Sequence, residues 1–150
     1  MSGTYTNLLY HIVFSTKNRL PLISRGLQSD LHAYLGGIVR EHEGIALIVG
    51  GMPDHVHLLA KLKPKFSVSD VVRDIKAGSS KWINETNRAR GKFGWQDGFA
   101  AFTVSFSQVS RVRNYIQNQE EHHRASEFQS ELLTLLRKNH VEYDEATIWD

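Results

Sequence analysis

Two histidines one residue apart, His55 and His57, sit in the run GMPDHVHLLAKLK, residues 51–63. The run alternates as a β-strand does, which puts His55, His57, Leu59, Lys61 and Lys63 on one face and Val56, Leu58, Ala60 and Leu62 on the other. Same-face neighbours stand about 6.6 Å apart at ~3.3 Å per residue, so both imidazoles can lean toward one ion. Two imidazoles do not complete a metal site, and a hard ion also asks for oxygen. Further along, SQVSRVRNYIQNQEEHHR (residues 107–124) has helical spacing, with Val109, Val112 and Ile116 on one stripe. Tyr115 and Gln119 are four apart and emerge about 40° from each other around the helix axis. A phenol can act as a nucleophile and an amide carbonyl as an oxygen ligand. On helix spacing alone the plainer reading, a half-buried packing tyrosine and a solvated glutamine, is favoured.

These residues need elements to position them. TNLLYHIVFS (6–15) reads as a strand, followed by a helix over about 24–42 in which Leu27, Leu31, Leu35 and Ile38 recur and Gly44 is a stop. IALIVG is a short apolar strand; Gly50, Gly51 and Pro53 turn the chain into the histidine strand, and Pro64 ends it. Ser67, with Asp70 three residues on, caps a second helix that runs to about Asn87. After the loop RARGKFGWQDG, FAAFTVSF (99–106) is a fourth strand. Ser107 is expected to cap a helix over 108–123, and Ser126 with Gln129 another over 126–139. The order β-α-β-β-α-β plus two helices predicts an α+β, ferredoxin-like antiparallel sheet with two helices on one face. The Val56–Leu62 set goes under those helices, and the histidine face is left for something else. The tail HVEYDEATIWD is acidic and partly apolar and is expected to dock.

Composition excludes some chemistries. The chain has 150 residues, 41% hydrophobic and 23% charged, which fits one domain with a core over 5–125 and a C-terminal helix and tail over 126–150. It has no cysteine, so thiol catalysis, thiolate metal sites and disulfides are out, in keeping with a reducing cytosol. No apolar run approaches the ~20 residues of a membrane span, and MSGTYTNLLYHIVF lacks the features of a signal peptide. A net charge of +2 says little by itself about partners.

Taken together, the pieces resemble a family. PDHVHLL is similar to the HUH metal-binding motif, and YIQNQ to a tyrosine helix with Y-x-x-x-Q spacing. YHIVFSTKNR and WQDGFAAFTVS are similar to the first and fourth strands of the same proteins. The family is the single-tyrosine HUH transposases of the insertion-sequence-200/605 type, with their REP-associated relatives; EEHHR and the tail resemble one branch. The resemblance implies that His55, His57 and Gln119 hold a divalent metal, Mg²⁺ or Mn²⁺, and that Tyr115 attacks single-stranded DNA at hairpin or repeat ends. The products would be a 5′-phosphotyrosine link and a free 3′-hydroxyl. It also implies a homodimer with shared active sites, working in a bacterial or archaeal cytoplasm at the nucleoid. Imidazole ligands alone would suit Zn²⁺ or Mn²⁺ better than Mg²⁺.

Other residues are candidates by position. Asp54 is a neighbour that could orient a histidine ring, His122 lies three residues past Gln119, and His11 is a strand histidine of structural type. Lys17, Arg19, Lys61, Lys63, Arg88, Arg90, Lys92, Arg111 and Arg113 could line a DNA backbone path. Trp95 could stack on an unpaired base or anchor the core. Two rival readings share parts of this pattern: a non-catalytic RNA-recognition-type module, which carries aromatics where this chain has His, His and Lys, and a relaxase or replication initiator, usually a longer protein.

Overall fold

The computed structural model describes residues 2–123 and 126–150, so Arg124, the last residue of EEHHR, lies outside the described residues. The order is β1 (Leu8–Ser15), α1 (Arg25–Glu41), β2 (Ile45–Met52), β3 (His55–Leu62), α2 (Val68–Glu85), β4 (Ala100–Thr103), α3 (Val109–Gln117), α4 (Gln119–His122) and α5 (Phe128–Lys138). Short 3-10 turns follow β1 at Lys17–Arg19 and precede α3 at Phe106–Gln108. The sheet order is β2-β3-β1-β4, every pair antiparallel, as the ferredoxin-like reading requires.

Alternation along the two central strands divides the molecule into layers. Ile12 and Phe14 of β1 join Val56, Leu58, Ala60 and Leu62 of β3 under Leu27, Leu31, Leu35 and Ile38 of α1 and Val71, Val72 and Ile75 of α2. The other face of β1 turns Val13 toward a second cluster with Phe102, Phe128 and Leu136, on which Tyr143 and Ile148 of the tail pack. The expected open histidine face is therefore roofed by the chain's own α3, α4, α5 and tail. Among the described residues, no helix is long and apolar enough to cross a membrane.

Local signals set most boundaries. Ser67 Oγ accepts the Asp70 N–H at 3.0 Å, the cap the sequence announces, and Ser24 Oγ caps α1 in the same way, accepting the Leu27 N–H at 3.2 Å. The expected caps at Ser107 and Ser126 do not form: α3 starts after Gln108, and α5 after Glu127, neither with a side-chain cap. Burial of Phe128 decides where α5 begins, since its ring lies flat against the His55 ring at 4.4 Å. The fourth strand is shorter than expected, because β1 offers only Tyr10–Val13 as partners and the chain then tightens into the 3-10 turn. The expected single helix over 108–123 is two segments, broken at Asn118 (φ −99°, ψ 29°).

The β2–β3 hairpin is tied down at its tip. Thr16 N–H donates to Asp54 O and Ile23 N–H to Pro53 O, each at 2.9 Å. Gly51 has φ +147°, and a Cβ there would lie 2.2 Å from His55 O, so only glycine passes. The hairpin tip, with Asp54 and His55, is thus held against the β1–α1 connection.

On the far layer, His42 joins α1 to α2. Its Nδ1–H donates to Ile38 O at 2.9 Å and its Nε2–H to Asp74 Oδ2 at 2.8 Å, so both nitrogens donate, as in imidazolium. The Ile38 carbonyl first, then Asp74 with help from Glu41, raise the His42 pKa above its ordinary value against the opposing effect of burial. A raised folded-state pKa gives stability that is complete below about 6.5 and is lost as pH rises through the folded value. Urea unfolding of the parent and of His42→Ala should therefore differ more at pH 6 than at pH 9. Equal differences at both pH values would show that the imidazolium contributes nothing.

Candidate metal and nucleophile centre

The register of β3 between β1 and β2 fixes the histidines at the hairpin-tip end of an interior strand. His57 pairs with Val13 and Gly50, and His55 with Ser15 and Met52. Both side chains have zero exposure, on the face roofed by α3, α4 and α5. A buried imidazole needs a partner for each nitrogen, and each has one. His55 Nδ1–H donates to Asp54 Oδ1 at 2.7 Å, and its Nε2 lies 3.1 Å from Gln119 Oε1 and 3.3 Å from Glu131 Oε1. His57 Nδ1 is 2.8 Å from His11 Nε2, and its Nε2 is 3.0 Å from Glu131 Oε1.

Glu131, from α5, is the meeting point. Its Oε1 also receives His123 Nε2 at 3.2 Å, and its Oε2 accepts Gln119 Nε2–H at 3.1 Å and the Tyr115 hydroxyl. Glu131 is 7% exposed and Gln119 2%. Burial pushes the Glu131 carboxyl up, but hydrogen bonds from His55, His57 and Tyr115 overcome it and hold it well below the usual carboxylate range. Burial likewise pushes His55 down, yet its bonds to Asp54 and Glu131 outweigh this and set it at about 9. Burial first and the charge on His57 second lower His11 to about 3, and burial lowers His57. Tyr115 is raised above its ordinary value by burial and then by its bond to Glu131, so it rests as the neutral phenol.

The donors fit a divalent cation. One atom each from His55, His57 and Glu131 lies within 4.8 Å of the others, and the Gln119 carbonyl oxygen borders the same space. Both Nε2 atoms face the carboxylate while both Nδ1 atoms are held from behind, by Asp54 and by His11. That is how ligating histidines are oriented in metal sites. The His11 contact works in either sense, since one ring donates while the other accepts, so His57 can present a proton or a lone pair at Nε2. With His55 as imidazolium, Asp54 and Glu131 still leave one uncompensated negative charge. Two imidazoles plus a carboxylate and an amide oxygen suit Mn²⁺ and similar ions better than imidazoles alone suit Mg²⁺.

The metal-ligand and nucleophile candidates named from the sequence meet here. His55, His57, Tyr115 and Gln119 converge, Asp54 is the acceptor behind His55, and the His122 ring leans on Tyr115 at 4.5 Å. His11, expected to be structural, touches His57 directly. The basic set does not form one path. Lys61 at the other end of β3 and Lys63 just past it lie about 20 and 26 Å from His55 at ~3.3 Å per residue. Arg88 is engaged by Asp30 at 2.6 Å and covers the Trp82 ring, and Arg19 covers Trp149. Lys17, Arg90, Lys92 and Arg113 are exposed, and Arg111 alone lines a cleft at Tyr115. Trp95 cannot stack on a base: it is 9% exposed, sandwiched by Phe14 and Phe93, with its indole N–H on Ser79 Oγ at 2.9 Å. It is the core anchor of the two roles open to it.

Glu131 was not among the sequence candidates. A signal for Glu131 exists: in FQSELLTLLRK it falls on the apolar stripe with Phe128 and Leu135, three and four residues away. A carboxylate at a core position of an amphipathic helix needs a partner.

Comparison with known proteins gives one consistent answer. A family model described as "Transposase IS200 like" matches residues 4–119. The ISDra2 transposase TnpA of Deinococcus radiodurans is 24% identical over 124 residues, covering 79% of this chain and 89% of the relative. The transposase of insertion sequence IS200 from Salmonella typhimurium is 26% identical over 136 residues, covering 85% and 86%. Among solved structures, one described as a transposase from Deinococcus radiodurans superposes with TM-score 0.62 at 25% identity, over 79% of this chain and 95% of that one. A REP-associated tyrosine transposase bound to a REP hairpin superposes with TM-score 0.61 at 16% identity, over 82% and 74%, a likeness of fold.

The tyrosine helix approaches the sheet at one glycine. A Cβ on Gly50 would stand 2.5 Å from Ile116 O and 2.7 Å from its Cγ2. Gly50→Ala is expected to destabilise the fold by about 1–3 kcal/mol, the usual cost of overpacking. It should also raise hydrogen exchange in α3 above that in α1. An unchanged unfolding midpoint would mean that α3 does not need this close seat.

Proposed function

The chain belongs to the IS200-like transposases, DNA-cutting enzymes, and on that premise we propose that it nicks and rejoins single-stranded DNA in a metal-dependent reaction with Tyr115 as nucleophile. Its targets are hairpin or repeat ends, a proposal that the hairpin-bound REP-associated neighbour supports by likeness of fold. The observation that carries the reading is the convergence of Tyr115, His55, His57 and Gln119 on the buried carboxylate of Glu131.

The residues divide the work. Tyr115 forms the oxygen–phosphorus bond as the bond from phosphorus to the 3′-oxygen breaks, and that oxygen leaves as a hydroxyl after taking a proton from water. Glu131 Oε2 holds the Tyr115 hydroxyl. Its low pKa makes it a poor resting base, so the phenolic proton moves to it only as the new bond makes the phenol acidic. A divalent cation on His55 Nε2, His57 Nε2 and Glu131 Oε1, beside Gln119 Oε1, would neutralise phosphate charge for in-line attack. Asp54 and His11 keep the two ligating rings turned inward. Because a phosphotyrosine keeps the energy of the broken ester, a 3′-hydroxyl can reverse the step and join strands.

Incubation with hairpin-bearing single-stranded DNA and Mn²⁺ should give a covalent adduct on a denaturing gel. Tyr115→Phe, His55→Ala and chelation should each abolish it, and Asp54→Ala should weaken Mn²⁺ binding ~10–100-fold. Retarded DNA with no adduct under any condition would instead support a binding module of RNA-recognition type.

A second expectation concerns the assembly. The sequence resemblance implies active sites shared in a homodimer, whereas here one chain brings its own Tyr115 to its own histidines. We read the site as acting in cis. Mixing Tyr115→Phe with His57→Ala subunits should then restore no adduct. Recovery toward a quarter of the parent yield, one intact site in each heterodimer and heterodimers half of a random mixture, would establish exchange of α3 between subunits.

A further inference from the structure

A cleft of about 340 Å³ opens beside Tyr115, between the end of β4, α3 and the last turn of α5. Its floor is apolar, with Phe102, Val104, Val112 and Leu135, and the Tyr115 side chain closes one end. Arg111 and Lys138 stand at its walls, and no acidic residue lines it. Arg111 lies four residues before Tyr115, hence on the same side of α3. Its one side-chain tie is a 3.4 Å contact to Gln108. Phe106, on the 3-10 turn between the lining residues Ser105 and Gln108, is 77% exposed.

Resting on the strand-cleavage reading, we propose that this cleft holds the unpaired nucleotide next to the scissile phosphate, with its base on the apolar floor and its backbone phosphate between Arg111 and Lys138. The size supports one nucleotide: ligand pockets run ~300–1,000 Å³, and this one is at the small end, too small for a base pair with its backbones. The charge supports an anion, because two cations with no acid between them are left uncompensated. The mixture of an apolar floor and cationic walls is that of single-strand binding sites, where bases meet flat apolar surface and phosphates meet Lys and Arg. Phe106 offers an exposed ring at the rim for the next base. Leu135 and Lys138 come from α5, which lies beyond the segment that matches the family model, residues 4–119. Three of the twelve lining residues, Leu135, Lys138 and Asn139, thus come from outside the matched segment.

The test uses the full chain and a labelled single-stranded oligonucleotide. Arg111→Glu with Lys138→Glu reverses both walls at exposed positions; Arg40→Glu with Lys81→Glu makes the same charge change on α1 and α2, across the sheet. Binding is read by fluorescence anisotropy in the Tyr115→Phe background, and adduct formation in the otherwise unaltered protein. The cleft pair should lose at least ~10-fold in both, the control pair less than about threefold, with unfolding midpoints and Mn²⁺ binding unchanged in all. A single abasic residue walked along the oligonucleotide should weaken binding most at one position, and that penalty should vanish in the cleft pair. Equal losses in the two pairs, or an abasic penalty that survives wall reversal, would overturn the subsite. If the unaltered protein forms no adduct while the cleft pair still loses binding, the cleavage reading fails and the nucleotide site stands.

Discussion

A carboxylate removed from water is costly unless its charge is answered at hydrogen-bond distance. Glu131 imposes that condition on five side chains at once. Three imidazoles, an amide and a phenol donate to its two oxygens, and no described buried side-chain polar atom is left without a partner. Because the donors come from β3, α3, α4 and the residue after α4, and the acceptor from α5, satisfying one charge brings together groups far apart in the chain. The same requirement explains why His55 holds a proton well above its ordinary range while its neighbour His57 does not. His55 has carboxylates on both sides; His57 has one carboxylate and a second histidine.

The sheet makes this arrangement possible by being undemanding where helices cross it. β2 is an edge strand, and at Gly50 it gives α3 a place to rest its backbone against the sheet. Gly51, one residue on, lets the chain turn so that Asp54 and His55 follow directly, with the hairpin tip pinned by Thr16 and Ile23. Two consecutive glycines thus serve two ends of one site: one admits the helix of the nucleophile, the other aims the first ligand.

How much of this the sequence discloses depends on how local each cause is. Alternation through Val56, Leu58, Ala60 and Leu62 assigned the helix-covered face, the spacing of Leu27, Leu31, Leu35 and Ile38 announced α1, and the cap at Ser67 announced α2, because each rests on near neighbours in the chain. The histidine pair and Tyr115 with Gln119 were legible as types and spacings, and the resemblance joined them. Glu131 was hidden because its meaning comes from burial against residues 55 and 57, a long-range fact; locally it is one acid in an amphipathic helix. Ser107 and Ser126 failed as caps for the same reason. The helix starts were decided by where Phe128 and the 3-10 turn pack, and tertiary packing overrides a weak local preference. Trp95 had two roles open to it in the sequence, a stacking ring or a core anchor, and its enclosure by Phe14, Phe93 and Ser79 makes it the anchor.

The carboxylate also needs an anchor strong enough to hold it in place, and the site itself does not supply one. α5 and the tail provide it: Phe128, Leu136, Tyr143 and Ile148 pack with Val13 and Phe102. Fully burying one large apolar side chain stabilises by about 1.5–3 kcal/mol, so a few such residues offset the cost of one paired buried charge. A shift of α5 by one turn would move Glu131 by about 5.4 Å, beyond reach of both Nε2 atoms, and would lift Leu136 and Phe128 from their contacts. Apolar packing and charge compensation therefore demand the same register of α5. The wall that α5 gives to the Tyr115 cleft is set by that register too, so the segment that brings the carboxylate fixes Lys138 and Leu135 at the same time. Ligand, nucleophile orientation and cleft shape are for that reason a single structural variable in this chain: the position of one amphipathic helix along the sheet.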